Sequence, residues 1–186
     1  MLKLSSKRER GANLVELALV VPIIILVVIG ILEVGVAFRD LLTVSNAAKE
    51  GVRLVAAMGD DPTTDCVVLV KTSSALASSV SLADLVNIEI FKAKPDGTPS
   101  QMTNIYTLIG SDPTDCTHWS PNPLDIDSLI WSPLARNVTV GPSDDLDIAG
   151  VRVTYTHKWI TGFPPFVGSF VLDEATVSRL EPEEYE

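Results

Sequence analysis

The sequence predicts an α+β protein: a long N-terminal transmembrane α-helix continuing into a small antiparallel-sheet extracytoplasmic domain. Three observations predict it. A charge-free apolar run extends from Leu17 to Leu32. A helical repeat of core-type residues carries on beyond it to Met58. After residue 60, five strand-like segments follow, separated by turn residues. The segments are residues 1–11, a basic leader; 12–58, the helix, with its transmembrane part at about 14–38; and 59–186, the extracytoplasmic domain.

The membrane helix comes first. Residues 14 to 38 are apolar apart from Glu16 and Glu33. Twenty-five helical residues rise about 37 Å, enough to cross a hydrocarbon core of about 30 Å. The alternative is a buried core helix, but the rest of the chain is too small to wrap such a helix on every side. Flanking charge sets the expected direction. Lys3, Lys7, Arg8 and Arg10 precede the run against Glu9 alone, whereas Arg39 and Asp40 after it cancel. Basic residues stay cytoplasmic, so the N-terminus is expected inside and the remainder outside a cytoplasmic (inner) membrane. The leader carries +3; with the whole chain at −10, residues 12–186 carry −13. Such an acidic domain is ill suited to nucleic acid or to anionic headgroups.

The leader is not that of a secretory signal peptide. The apolar segment is too long, and "EVGVAFRD" continues as helix where a small-residue cleavage site would stand. The small residue, Gly11, precedes the run. Counted from Ala12, Glu16 is the fifth residue and Pro22 the eleventh. A carboxylate in a membrane helix costs up to about 3 kcal/mol at the bilayer centre and less near its ends. Glu16 lies just over one turn from Ala12, so it can stay near the interface. This arrangement resembles class III or type IV prepilins, in which a membrane prepilin peptidase cuts after the leader glycine. The resemblance implies Gly11 and Ala12 as the processing site. It also implies Glu16 as an assembly residue, its carboxylate neutralising the new α-amino group of a neighbouring subunit. A paired charge is tolerable in a low dielectric; an unpaired one is not. Pro22 is expected to kink the membrane helix. The plainer alternative is an interfacial glutamate favoured by the helix dipole.

Past the bilayer, Leu41, Val44, Ala48, Val52 and Val55 recur at helical spacing, with Arg39, Asn46, Lys49, Glu50 and Arg53 mostly off that face. Gly59 and Asp60–Asp61–Pro62 stop the helix. The run Arg10–Gly11–Ala12, Val15–Glu16–Leu17–Ala18, Glu33–Val34–Gly35 and Asn46–Ala47–Ala48–Lys49–Glu50–Gly51–Val52–Arg53 resembles the TadE-like family, minor pilin-like (pseudopilin) proteins of Tad/Flp tight-adherence pilus systems. Leu17 stands where that family usually carries an aromatic residue. The resemblance is strong over residues 8–59, modest over 148–183 and absent between. It implies a pilin-like fold and a role in pilus assembly and cell adhesion. The implied partners are other pilin or pilin-like subunits, the prepilin peptidase, the assembly platform and the lipid bilayer. It implies no cofactor.

In the exported part, residues 67–80 predict a helix. Residues 86–93, 103–109, 136–140, 150–159 and 170–180 predict strands, with "PDGT" at 95–98 as a turn. Residues 110–135 predict a long loop. Cys66 and Cys116 follow the related stretches "DPTTDC" and "DPTDC". An even count in an oxidising compartment predicts a disulfide between them, two unpaired thiols being the alternative. No spacing of His118, His157 and the serines singles out a catalytic set, so no enzyme is expected. Asp144, Asp145 and Asp147, or Asp125 and Asp127, lack the glycine and terminal glutamate of a calcium loop and read as solvated turns, so no metal site is assigned. The rival functional readings are a membrane-tethered extracytoplasmic binding module and an uncleaved scaffold of the pilus secretion apparatus.

Overall fold

The computed structural model describes residues 6–140 and 146–182, with side chains from residue 13 onward. In chain order the elements are helix α1 (Ser6–Met58), helix α2 (Thr64–Ala77), strands β1 (Leu85–Ala93), β2 (Pro99–Leu108) and β3 (Trp119–Ser120), then β4 (Ile148–Lys158) and β5 (Ser169–Arg179). The chain forms two compact units. One comprises residues 1–38 with 159–168; the other comprises 39–158 with 169–186.

In the larger unit, an antiparallel sheet of order β3-β2-β1-β4-β5 is built from neighbouring hairpins around β1 and β4. β4 reads "IAGVRVTYTHK", and its alternation sends Ala149, Val151, Val153 and Tyr155 inward. These meet Ile88 and Ile90 of β1 and the buried face of α1, Val44, Ala47, Ala48, Val52 and Val55. Each such valine or isoleucine contributes about 1.5–3 kcal/mol on burial, and each alanine less. The small residues of the "NAAKEG" stretch have a packing reason. A Cβ placed on Gly51 would fall 2.6 Å from the Thr72 hydroxyl of α2 and 3.1 Å from Val151 of β4. Helix α1 is therefore wedged at Gly51, with no room for a larger residue. It ends as predicted: Gly59 adopts φ 55°, a left-handed cap, and its N–H donates to the Val55 carbonyl.

A buried carboxylate organises the segment that the sequence left as loop. Asp65, at the start of α2, is fully buried and ion-paired with the equally buried Arg136. It also accepts from the Tyr106 hydroxyl at 2.5 Å and the Asn104 amide at 3.1 Å. Asn104 in turn spans to Trp131, donating to its carbonyl at 2.8 Å and accepting from its N–H at 2.9 Å. The Arg136 guanidinium lies over the Trp131 ring, 4.6 Å from its centroid. Cys66 and Cys116 are joined by a disulfide with Cα atoms 5.5 Å apart.

Several boundaries differ from the sequence reading. α1 starts at Ser6 rather than Ala12, and α2 begins three residues before the predicted helix and ends three before its predicted end. β2 starts at Pro99, because the 95–98 turn closes tightly, Lys94 N–H donating to the Thr98 carbonyl at 2.8 Å. Residues 110–135 contain short 3-10 turns and the two-residue β3. The predicted strand at 136–140 is absent. Both edges of β4 are already taken, by β1 and β5. Arg136 is drawn inward to Asp65, and Asn137 folds back to accept from the Thr139 N–H and hydroxyl. Asp147 engages Lys92 at 2.6 Å and the Asn137 N–H at 3.1 Å, while Asp144 and Asp145 lie outside the described residues.

The two Asp-Pro-Thr stretches fold alike. Asp61 and Asp112 each accept from the hydroxyl and the N–H of the threonine two residues on. Asp96 and Asp115 repeat the pattern with Thr98 and Thr117. The threonine hydroxyl, then its N–H, holds each carboxyl below its ordinary range.

Two predictions follow from the Asp65 and disulfide geometry. Burial, reinforced by the neighbouring Asp65 charge, pushes the Tyr106 phenol above its ordinary value of 10.0. An unfolded chain ionises this phenol above that pH and the folded chain does not, so this part of the stability is complete below it and is lost as pH rises. Tyr106→Phe should flatten the alkaline loss in a thermal-unfolding pH series while costing about 1 kcal/mol near neutrality. Replacing Cys66 and Cys116 together by serine should lower stability by about 4 kcal/mol on the chain-entropy account, read by denaturant unfolding in detergent.

Candidate functional site

The smaller unit holds the residues the sequence singles out. Gly11 and Ala12 fall in the first turns of α1, with side chains outside the described residues. Glu16 is exposed on the helix. Pro22 lies inside α1, which runs through it; having no N–H, it cannot donate to the Ala18 carbonyl. The structure brings none of these residues together with another charged group among the described residues. Cys66 and Cys116 belong to the larger unit and serve its packing.

The decisive property of this helix is that nothing in the protein covers its apolar stretch from Leu14 to Val28. Every large apolar side chain from Leu14 to Val28 is exposed, and the most apolar window, of mean hydropathy 3.1, is 0% buried. A core helix would be buried, so that alternative falls. An uncovered apolar cylinder of this length is stable only in lipid or against other apolar helices. Among the described residues it is the one helix long and apolar enough to cross a membrane.

Glu33 is a site residue that no sequence pattern singles out. It is 1% exposed although it lies within an apolar stretch. Its carboxylate accepts from the Ile160 N–H at 3.0 Å, the Thr161 N–H at 2.6 Å and the Thr161 hydroxyl. These donors sit in the loop between β4 and β5, residues 159–168. The same loop lays the Phe166 ring over Gly30, where even an added Cβ would stand 3.6 Å from the ring. Trp159 meets Phe166 edge-on at 5.2 Å. Val27, Gly30, Ile31 and Val34 recur on one helix face and, with Phe166, line a shallow apolar groove of about 580 Å³. A carboxylate surrounded by donors is tolerable where an unpartnered one would cost several kcal/mol. The partner lies 127 residues away in sequence, so no local pattern reveals it.

A second buried acid stands at the head of the larger unit. Asp40 accepts from His157 Nδ1 at 2.8 Å and from Arg39 at 2.8 Å. The His157 ring also packs on Phe170 at 4.9 Å. Among the described residues no group of three His, Cys, Asp or Glu side chains is placed to hold a metal ion.

The uncovered apolar stretch and the five-stranded antiparallel sheet define an α+β protein with one candidate membrane-spanning helix among the described residues. A family model described as TadE-like protein matches residues 11–53, which spans Gly11, Ala12, Glu16, Pro22, Glu33 and the Asn46–Arg53 stretch. The match lies on helix α1 and fits a Tad pilus-related protein with an N-terminal membrane-spanning helix. No curated protein and no solved structure matches the chain.

Replacing Glu33 with alanine should free the loop from α1. Amide hydrogen exchange at Ile160 and Thr161 should accelerate strongly, while Val151 and Val153 in the sheet remain protected. Unchanged exchange at 160–161 would show that the loop is held by other contacts.

Proposed function

We propose that this protein is a minor pilin-like subunit of a Tad-type pilus, made as a single-pass precursor and incorporated through its N-terminal helix. The observation that carries the reading is the coincidence of the TadE-like match over residues 11–53 with an apolar stretch, Leu14 to Val28, that the rest of the chain leaves uncovered. In this reading the N-terminus is cytoplasmic, as the +3 leader favours, and residues 59–186 lie outside the inner membrane. A prepilin peptidase cuts between Gly11 and Ala12. The Glu16 carboxylate then meets the α-amino group of a neighbouring subunit and sets the register between helices. Pro22 bends the helix to follow its neighbours. The role is structural rather than enzymatic: the chain contributes a helix and a folded head, the assembly platform supplies the work, and the assembled filament supports adhesion.

Intact mass of the protein extracted from membranes of cells with their own prepilin peptidase tests the first step. A chain beginning at Ala12 is expected. A retained leader would favour a tethered binding module or an uncleaved scaffold. Glu16→Ala should leave membrane insertion intact and abolish recovery in sheared filaments; recovery at the wild-type level would sink the register role.

A further inference from the structure

We propose that the β4–β5 loop, residues 159–168, is a second membrane-embedded element, entering the acyl region of the bilayer beside α1 with Glu33 as its clasp. The inference rests on the reading of α1 as a membrane span and goes beyond it.

Depth is the first argument. With the midpoint of the span at residue 26, Gly30 lies about 6 Å from the bilayer centre and Glu33 about 10 Å, against a hydrocarbon half-thickness of about 15 Å. Moving the span by a full helical turn toward the N-terminus still leaves Gly30 within the hydrocarbon. Phe166 packs on Gly30. Whatever lies on Gly30 shares its depth, so the loop must enter the same layer.

Composition is the second. From Trp159 to Leu172 the chain carries no charged residue. The loop turns its apolar side chains outward: Ile160 is 68% exposed, Phe163 48% and Val167 56%. In water these would form a costly patch; in the acyl region they cost nothing, and Trp159 at the loop's entry suits the boundary with the headgroups.

Backbone satisfaction is the third. Irregular backbone survives at membrane depth only if its polar groups find partners in the protein. Ile160 and Thr161 donate to Glu33. Phe163 N–H donates to the Thr161 hydroxyl at 3.4 Å, Phe166 N–H to the Phe163 carbonyl at 2.6 Å and Val167 N–H to the Pro165 carbonyl at 3.1 Å. Pro164 and Pro165 have no N–H to satisfy. The arrangement also explains a glutamate deep in a span: its charge is spent on the loop donors that need it.

The test uses the full chain, with its native disulfide intact, in phosphatidylcholine vesicles. Single cysteines replace Phe163 or Val167 and carry a bimane label. Ile24→Cys serves as the reference for the span and Met102→Cys, on the exposed side of β2, as the reference for water. Quenching by acyl-brominated phosphatidylcholine is compared with quenching by aqueous iodide. The proposal expects labels at 163 and 167 to be quenched by bromolipid as strongly as Ile24→Cys and to be shielded from iodide. Iodide quenching at 163 and 167 equal to that of Met102→Cys, with Ile24→Cys still lipid-quenched, overturns the proposal and leaves the span standing. Iodide access at Ile24→Cys as well would overturn both. Shielding of 163 and 167 from both quenchers overturns it in favour of cover by a second copy of the chain. Adding Glu33→Ala to the Val167→Cys chain should shift quenching from lipid toward iodide.

Discussion

The fold of the larger unit depends on keeping one buried charge satisfied. Asp65 is wholly removed from water, and its carboxylate is shared among Arg136, Tyr106 and Asn104. Those partners come from β2 and from the proline-rich segment that has almost no regular structure of its own. Removing one member of a buried ion pair costs about 3–5 kcal/mol because the other is stranded. That penalty is what gives residues 129–136 a single conformation, with Trp131 fixed between Asn104 and the Arg136 guanidinium. The disulfide adjoining Asp65 in sequence adds a covalent tie between α2 and the same irregular segment.

Along α1 a single helix is written for two surroundings. From Leu14 to Val28 its residues are large, branched and exposed. From Val44 to Ala56 the buried positions are mostly valine and alanine, with Gly51 at the closest approach to α2 and β4. Large side chains suit a fluid solvent that accommodates any shape. Small ones suit a rigid neighbour that accommodates none. The acids mark the change between these regimes. Glu33 sits about three turns and Asp40 about one turn before the packed stretch begins, and each accepts hydrogen bonds from residues of the C-terminal part of the chain.

How much of this was legible follows from the range of each signal. The membrane helix and its end at Met58 were legible because hydropathy, spacing and Gly59 all act locally. β4 was legible because its alternation holds from Val151 to Lys158. Residues 136–140 misled because "RNVTV" has strand composition, while its fate was decided by Asp65, 71 residues earlier. The same holds at the candidate site. Gly11, Ala12, Glu16 and Pro22 announce themselves by spacing along one helix. The role of Glu33 required knowing that the β4–β5 loop returns to α1, which no local pattern encodes. The TadE-like match ends at residue 53, so β1 and β2 had to be read from composition and alternation alone.

The repeated Asp-x-Thr turns have a consequence at the level of the whole molecule. Asp61, Asp96, Asp112 and Asp115 are exposed, yet each carboxyl is held below its ordinary range chiefly by the threonine of its own turn. Four negative charges are thereby kept through moderate acidification mainly by neutral hydrogen-bond donors. A surface that keeps its mutual repulsion as the medium turns acid resists clumping with its own copies. Crowding many identical heads side by side is the circumstance in which that resistance counts most.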